Sequence, residues 1–192
     1  MAVAVANAAL IARAQAGDEA AFEVIFNQYH AAIYNYVFRM MGNPEDASDL
    51  TQDTFLKAWR ALSRTSDDLR VGAWLYRIAT NVCLDELRHR KLIKWQSWDN
   101  FVSVFHPVAK ESPERDVVNR ENREEVQYIL DRLNPKYRLC ILLREYQGLS
   151  YDEIAQVLGT TRAAVKSLLF RAREEFRQVF KTVERQPGQV KE

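Results

Sequence analysis

The sequence predicts an all-α protein: two helical domains joined by a flexible linker, the C-terminal one containing a helix-turn-helix. Three observations predict it. Glycine and proline are scarce, at 6 and 5 in 192 residues, whereas good helix formers such as Ala, Leu, Arg, Glu and Gln are abundant. Apolar residues recur at three- and four-residue steps through most of the chain. No segment alternates apolar and polar residues over a useful length, so no sheet is expected. A hydrophobic fraction of 47% is enough for real cores. The net charge is only +1, so any nucleic-acid surface must come from how the charges are distributed.

The N-terminal segment 2–12 is apolar, but its first charge, Arg13, follows the apolar run instead of preceding it. That order predicts a helix start and not an export signal. No stretch approaches the ~18 apolar residues that suggest a membrane span. Asp18 is placed to cap the first clear helix, in which Phe22, Ile25, Tyr29, Ile33, Tyr36 and Met40 form one apolar stripe. Gly42 closes it, and Asn43-Pro44 opens a second helix running to about Leu62. Ala47, Leu50, Thr54 and Ala58 face its core side, while Asp49, Gln52, Asp53, Leu56 and Arg60 fall on another face.

Residues 63–71 are polar and turn-like. A third helix is expected from about Gly72 to Ile93, with Leu75, Ile78, Ala79 and Val82 inward and Trp74, Asn81, Asp85 and Arg88 beside them. It ends in a basic cluster of Arg88, His89, Arg90, Lys91 and Lys94. Segment 95–116 loses the helical pattern and carries Pro107, Pro113, Trp95, Trp98, Phe101 and Phe105. It reads as an interdomain linker, dividing the chain into 1–94, 95–116 and 117–192. Exposed aromatics are costly, so this linker is expected to dock on its own domains or on a partner.

The second domain is expected to start near Val117, with a helix burying Val126, Ile129, Leu130 and Leu133. Asn134-Pro135 then opens a helix over 136–146 that ends at Gly148. Ser150 and Glu153 form a capping box, in which each satisfies an orphan amide of the other's segment. Ile154, Ala155, Val157 and Leu158 form the buried side of a short helix that Gly159 ends. Thr160 or Thr161 caps a longer helix from Arg162 to about Phe180, with Val165, Leu168 or Leu169, and Ala172 inward. Its other face carries Arg162, Lys166, Ser167, Phe170, Arg171 and Arg173.

A short capped helix, a Gly turn and a second helix make the bihelical unit that fits a major groove. Arg and Lys reach guanine edges or phosphates, Ser bonds either, and Phe meets a thymine methyl. Spacing alone would also suit an ordinary helical hairpin with a solvated basic face. The capping box, the small Ala155 at the crossing and the basic outer face favour DNA.

Other classes lack their residues. No Gly-rich phosphate loop, metal-spaced cluster or nucleophilic triad is present, and the three histidines sit in unrelated settings. Neither an enzyme, nor a metal site, nor a cofactor is therefore expected. Cys83 and Cys140 lie far apart in apolar contexts and read as buried reduced thiols, which suits a cytoplasmic location. A response-regulator output protein would share the C-terminal helices, but residues 1–93 lack the strand-helix alternation of a receiver. A helical adaptor would not require the basic face around Lys166 and Arg171.

From Leu10 to about Phe180 the chain resembles the extracytoplasmic-function (ECF, group IV) sigma factors of bacterial RNA polymerase. The stretches LIARAQAGDEAAFEVIFNQY, DASDLTQDTFLKAWRAL, WLYRIATNVCLDELRHRK, LSYDEIAQVLG and AVKSLLFRARE carry it, in order and with the expected gap. The resemblance implies a transcription initiation factor that binds core RNA polymerase through its β′ clamp and β subunit. It assigns Asp49, Gln52, Asp53, Leu56 and Arg60 to the clamp contact. It assigns Asn81 and the preceding loop to a flipped base of the minus-ten element, with Arg88, Arg90 and Lys91 on phosphates. Trp74 reads as a core tryptophan before a stacking platform. Lys166, Ser167, Phe170 and Arg171 match the positions that meet the minus-thirty-five duplex. Leu168 departs from the basic residue often found after that serine, which would remove a phosphate contact. The resemblance also implies an anti-sigma partner and no direct membrane insertion, and places the linker along a polymerase channel.

Overall fold

The computed structural model describes residues 8–66, 69–90 and 117–185. Four helices come first: α1 (Ala8–Gln15), α2 (Glu19–Met41), α3 (Pro44–Leu62) and α4 (Val71–His89). Then follow α5 (Val117–Arg132), α6 (Pro135–Ile141), a π-helical turn over Leu142–Tyr146, α7 (Tyr151–Leu158) and α8 (Arg162–Arg185). No strand occurs among the described residues, in agreement with the all-α expectation. The aromatic linker 95–116 lies outside the described residues, as does Lys91.

Local chemistry sets the helix ends. The Asp18 carboxylate accepts the Ala21 amide at 3.1 Å, which caps α2. Gly42 ends α2 in the left-handed region, at φ 72°, where a side chain would be strained. Asn43 then accepts the amides of Glu45 and Asp46, and Pro44 takes the first helical position, where its missing N–H costs nothing. The same pairing recurs at Asn134-Pro135, where Asn134 accepts the Lys136 amide at 3.0 Å.

Two elements depart from the periodicity. The helix start expected in the N-terminal apolar segment is α1, which ends at Gln15 as an element separate from the helix that Asp18 caps and which buries Ile11 and Ala14. The helix expected over 136–146 widens at Leu142, where the Gln147 amide reaches back to the Leu142 carbonyl. Such a π turn inserts a residue without a local sequence signal.

Helix α2 is the spine. Ile25, Tyr29, Ile33, Tyr36, Val37 and Met40 are buried along it, and α3 and α4 pack against it. Tyr36 is fully buried but satisfied, because its hydroxyl shares a hydrogen bond with Thr80 of α4 at 2.8 Å. Cys83 and Cys140 are free and buried, and burial pushes both thiols up to about 12. In the second half α6 and α7 pack on α8 around Leu139, Leu142, Ile154, Val165 and Leu169.

The two helical halves pack on each other. Helix α7 packs on α4, α5 and α6 pack on α2, and one apolar core runs through both halves. No described helix is long and apolar enough to cross a membrane.

Candidate nucleic-acid interface

The helix-turn-helix is built from short-range rules. The Ser150 hydroxyl accepts the Glu153 amide at 3.2 Å, and the Glu153 carboxylate accepts the Ser150 amide at 2.8 Å. The Ser150 amide first, and then the Ser150 hydroxyl, which donates to the same carboxylate at 2.7 Å, hold the Glu153 carboxyl below its usual range. Gly159 ends α7 at φ 63°, and Ala155 lies buried on that helix. Thr161 accepts the Ala164 amide at 3.2 Å and so starts α8. Val165, Leu168, Leu169 and Ala172 are all buried along the inner side of α8.

The outer face of α8 carries Arg162, Lys166, Ser167, Phe170 and Arg171, all exposed. Phe170 is 67% exposed, the highest value among the large hydrophobics of the described residues. An aromatic ring left in water between Lys166 and Arg171 serves a partner better than it serves the fold. Arg162 meets Asp152 at 3.5 Å with both side chains largely in solvent, a weak pairing that a phosphate can displace.

Two further residues of this helix make contacts within the fold. Arg173 is engaged by Glu145 of the π-helical turn at 2.7 Å, and that bond raises its pKa. Its guanidinium braces α8 against the turn. Leu168 is buried, so its side chain packs inward.

In the first half Asn81 is exposed on α4, and Trp74 is half-buried against the core. Arg88 bonds to Asp85 one turn away. Arg90 is committed more deeply: its two terminal nitrogens grip both Asp46 oxygens at 2.7 and 2.8 Å, and its Nε bonds Glu86. The Asp46 bond is the main cause of its raised pKa. Because Asp46 lies in the first turn of α3, Arg90 clasps α4 to α3 before any phosphate arrives.

Asp49, Gln52, Asp53, Leu56 and Arg60 are all exposed on α3, as the helical spacing requires. Leu56 is 46% exposed, another large hydrophobic standing in solvent. Beside it lies a hollow of about 550 Å³ between α2 and α3, lined by Phe22, Phe26, Phe55 and Trp59 as well as Gln52 and Leu56. Phe22 meets Trp59 at 4.9 Å and Phe26 meets Phe55 at 4.7 Å between ring centres. The signal for this hollow is present in the sequence: Phe22, Phe26, His30, Tyr34 and Phe38 recur at four-residue steps as a second stripe on α2. Phe22, which the spacing places on the core stripe, is half-buried and lines this hollow.

Residues 25–93 match Sigma-70 region 2, and residues 123–176 match Sigma-70, region 4. The chain is 33% identical over 171 residues to the RNA polymerase sigma-H factor of Pseudomonas aeruginosa, covering 86% of this chain and 89% of that protein. It is 32% identical over 166 residues to the ECF RNA polymerase sigma factor SigE of Mycolicibacterium smegmatis, covering 84% of this chain. That match spans 63% of the length of SigE. In three dimensions the chain is similar to CnrH solved in complex with the cytosolic domain of CnrY. The TM-score is 0.71 at 26% identity, covering 92% of this chain and 98% of the other. The matched regions, α2 to α4 and then the helix-turn-helix, together with these relatives place the chain in the ECF sigma factor family.

Proposed function

We propose that this chain binds core RNA polymerase and directs promoter-specific initiation, reading the minus-ten element as opened single strand and the minus-thirty-five element as duplex. One observation carries the reading. Helix α8 presents Lys166, Ser167, Phe170 and Arg171 outward from a capped, Gly-turned bihelical unit, and these side chains suit a major-groove floor and its flanking phosphates. Arg162 adds a phosphate contact at the start of α8.

Asn81 offers both a donor and an acceptor to the edge of an extruded base, and Arg88 and Lys91 follow the backbone. The α3 face of Asp49, Gln52, Asp53, Leu56 and Arg60 takes the polymerase clamp, with the neighbouring aromatic hollow receiving an apolar side chain of the partner. Segments 1–94 and 117–192 act as the two readers, and 95–116 spans between them. The work is done in the cytoplasm, beside the chromosome. The sigma factor RpoE of Bartonella quintana, similar to this chain with a TM-score of 0.62 at 25% identity, was solved with the anti-sigma factor NepR, which supports an anti-sigma partner for this chain.

Run-off transcription with purified core polymerase tests the proposal. Expected is a transcript from one class of promoter only when the protein is added. A chain that binds the promoter fragment equally well by itself and never yields a transcript would be a polymerase-independent DNA-binding protein.

A further inference from the structure

Helix α1 lies ahead of the residues that match Sigma-70 region 2, yet its last residue reaches the connection between α3 and α4. The Gln15 side-chain nitrogen donates to the Thr65 hydroxyl at 2.9 Å, the Ser66 carbonyl at 3.2 Å and the Thr65 carbonyl at 3.3 Å. Its two hydrogens are shared among three acceptors. Two of those are carbonyls, which only accept, so the amide nitrogen and not its oxygen must face the connection. The Thr65 hydroxyl donates in turn to the Leu62 carbonyl at 2.6 Å, which leaves it as an acceptor for Gln15. On the far side the Leu69 amide donates to the Ser66 carbonyl at 3.2 Å. A single side chain from 50 residues earlier thus ties down the stem of the 63–70 connection.

The aim of Gln15 is set from behind. Ile11 and Ala14 are buried where α1 packs on α2. The Arg13 guanidinium bonds Asp18, the residue that caps α2, at 2.6 and 2.8 Å. In front of it, Arg70, Arg77 and Asn81 are exposed at seven- and four-residue steps, so they share one face of α4 that starts at the connection. Asn81 stands about 15 Å along that face from Val71. Ordering an exposed connection costs conformational entropy at every residue, and a ligand that finds it already ordered is spared that cost.

We propose that Gln15 is a positioning residue for minus-ten reading: through Thr65 and Ser66 it presets the 63–70 connection, so that the connection and Asn81 receive the opened strand together. The inference rests on the function proposed above, which gives this connection and Asn81 their part in reading the strand. Gln15 touches no DNA in this scheme and acts only through the loop it holds. Were its bonds there only to keep α1 on the fold, their loss would lower stability and weaken matched and mismatched strands alike. A positioning role predicts a loss of selection instead. Specificity is a difference of affinities, and a loosened loop gives up more on the matched strand than on the mismatched one.

Gln15→Glu tests the role in the full chain, alone and bound to core polymerase. The carboxylate has the shape of the amide but no hydrogen to donate, and it turns an oxygen towards both carbonyls. In the free chain, hydrogen exchange at the Thr65 and Leu69 amides should become about tenfold faster. In the polymerase complex, two fragments with a pre-opened minus-ten element, matched and mismatched at the captured base, give a selection ratio. That ratio should fall about fivefold to tenfold, while binding of core polymerase and of the minus-thirty-five duplex stays as in the parent. Should the variant lose its helical circular dichroism, Thr65→Val and Thr65→Ser decide. The first keeps the volume without the hydroxyl and should lose selection, and the second keeps the hydroxyl and should retain it. Unchanged exchange in a folded variant would overturn the anchor. Faster exchange with an unchanged ratio would overturn the positioning role. A parent that does not distinguish the two fragments would sink the minus-ten reading itself, while the exchange still judges the anchor.

Discussion

The two candidate DNA readers are built in opposite ways. The helix-turn-helix is fixed within 12 residues of chain by Ser150, Gly159 and Thr161, and its outward side chains are mostly uncommitted. The reader on α4 depends on distant chain: Asn81 stands free in solvent, while Arg90 is held by Asp46, 44 residues earlier. A locally capped unit can move as a body and keep its reading face. A reader assembled from long-range contacts is part of the scaffold, and its basic residues must serve the fold before they serve a ligand.

The largest expected effect comes from attacking the local unit at its core. Leu169 is fully buried on α8, so Leu169→Ala should cost about 2–5 kcal/mol and abolish minus-thirty-five duplex binding. Thermal unfolding followed by circular dichroism gives the loss. A variant with unchanged stability would show that α8 is not anchored by this side.

Next come the reading residues themselves. Arg171→Ala should lose about 1–3 kcal/mol of discrimination between matched and mismatched minus-thirty-five duplexes, while core polymerase binding stays intact. Asn81→Ala should do the reverse, weakening capture of an opened minus-ten strand and sparing duplex binding. Parallel binding assays on duplex and pre-opened fragments separate the two. If either substitution weakened both fragments equally, the division of labour would fail.

Arg90 offers a sharper comparison with Lys166, since both were expected to meet DNA. Arg90 is bound on both sides by carboxylates and remains partly in solvent, so its pairing merits a discounted value of about 1 kcal/mol. Arg90→Ala should therefore lower thermal stability and leave the salt dependence of DNA binding nearly unchanged. Lys166→Ala should leave stability unchanged and reduce the salt slope by about one. A reduced slope for Arg90→Ala would return that residue to the phosphate contacts.

This contrast also explains what could be read from sequence. Caps, Gly turns and apolar stripes are local, so α2, α3, α7 and the start of α8 were legible from Asp18, Asn43, Ser150 and Gly159. Exposure of the α3 face and of Lys166, Ser167, Phe170 and Arg171 followed from helical spacing alone. Long-range electrostatics was not legible. Counting helical faces puts Arg90 and Arg173 in solvent, but Asp46 and Glu145 arrive from 44 and 28 residues away. Arg138 was invisible for the same reason. A basic side chain in a short helix reads as surface, and only the arrival of α2 buries it against the Met40 carbonyl. The π turn at Leu142–Tyr146 likewise answers to packing and has no residue signature.

The smallest effect isolates the local unit through acidity. Glu153 has its pKa lowered mainly by the Ser150 backbone bond, so its contribution is fully present above its unfolded value near 4.5 and fades as pH falls through the lower folded value. Asp131 and Glu175 have raised values caused first by desolvation, so protonation on acidification works the other way for them. The net acid response of the whole protein therefore mixes opposing signs and cannot be read for the cap alone. Comparing Glu153→Gln with the parent cancels the common groups. The amide can still accept the Ser150 N–H, so the variant should be slightly less stable near neutrality and converge on the parent below the folded pKa. Melting curves from pH 6 to 3 measure the gap. A gap that stays constant with pH would mean that the carboxylate charge contributes nothing, leaving Ser150 and Gly159 to hold the unit.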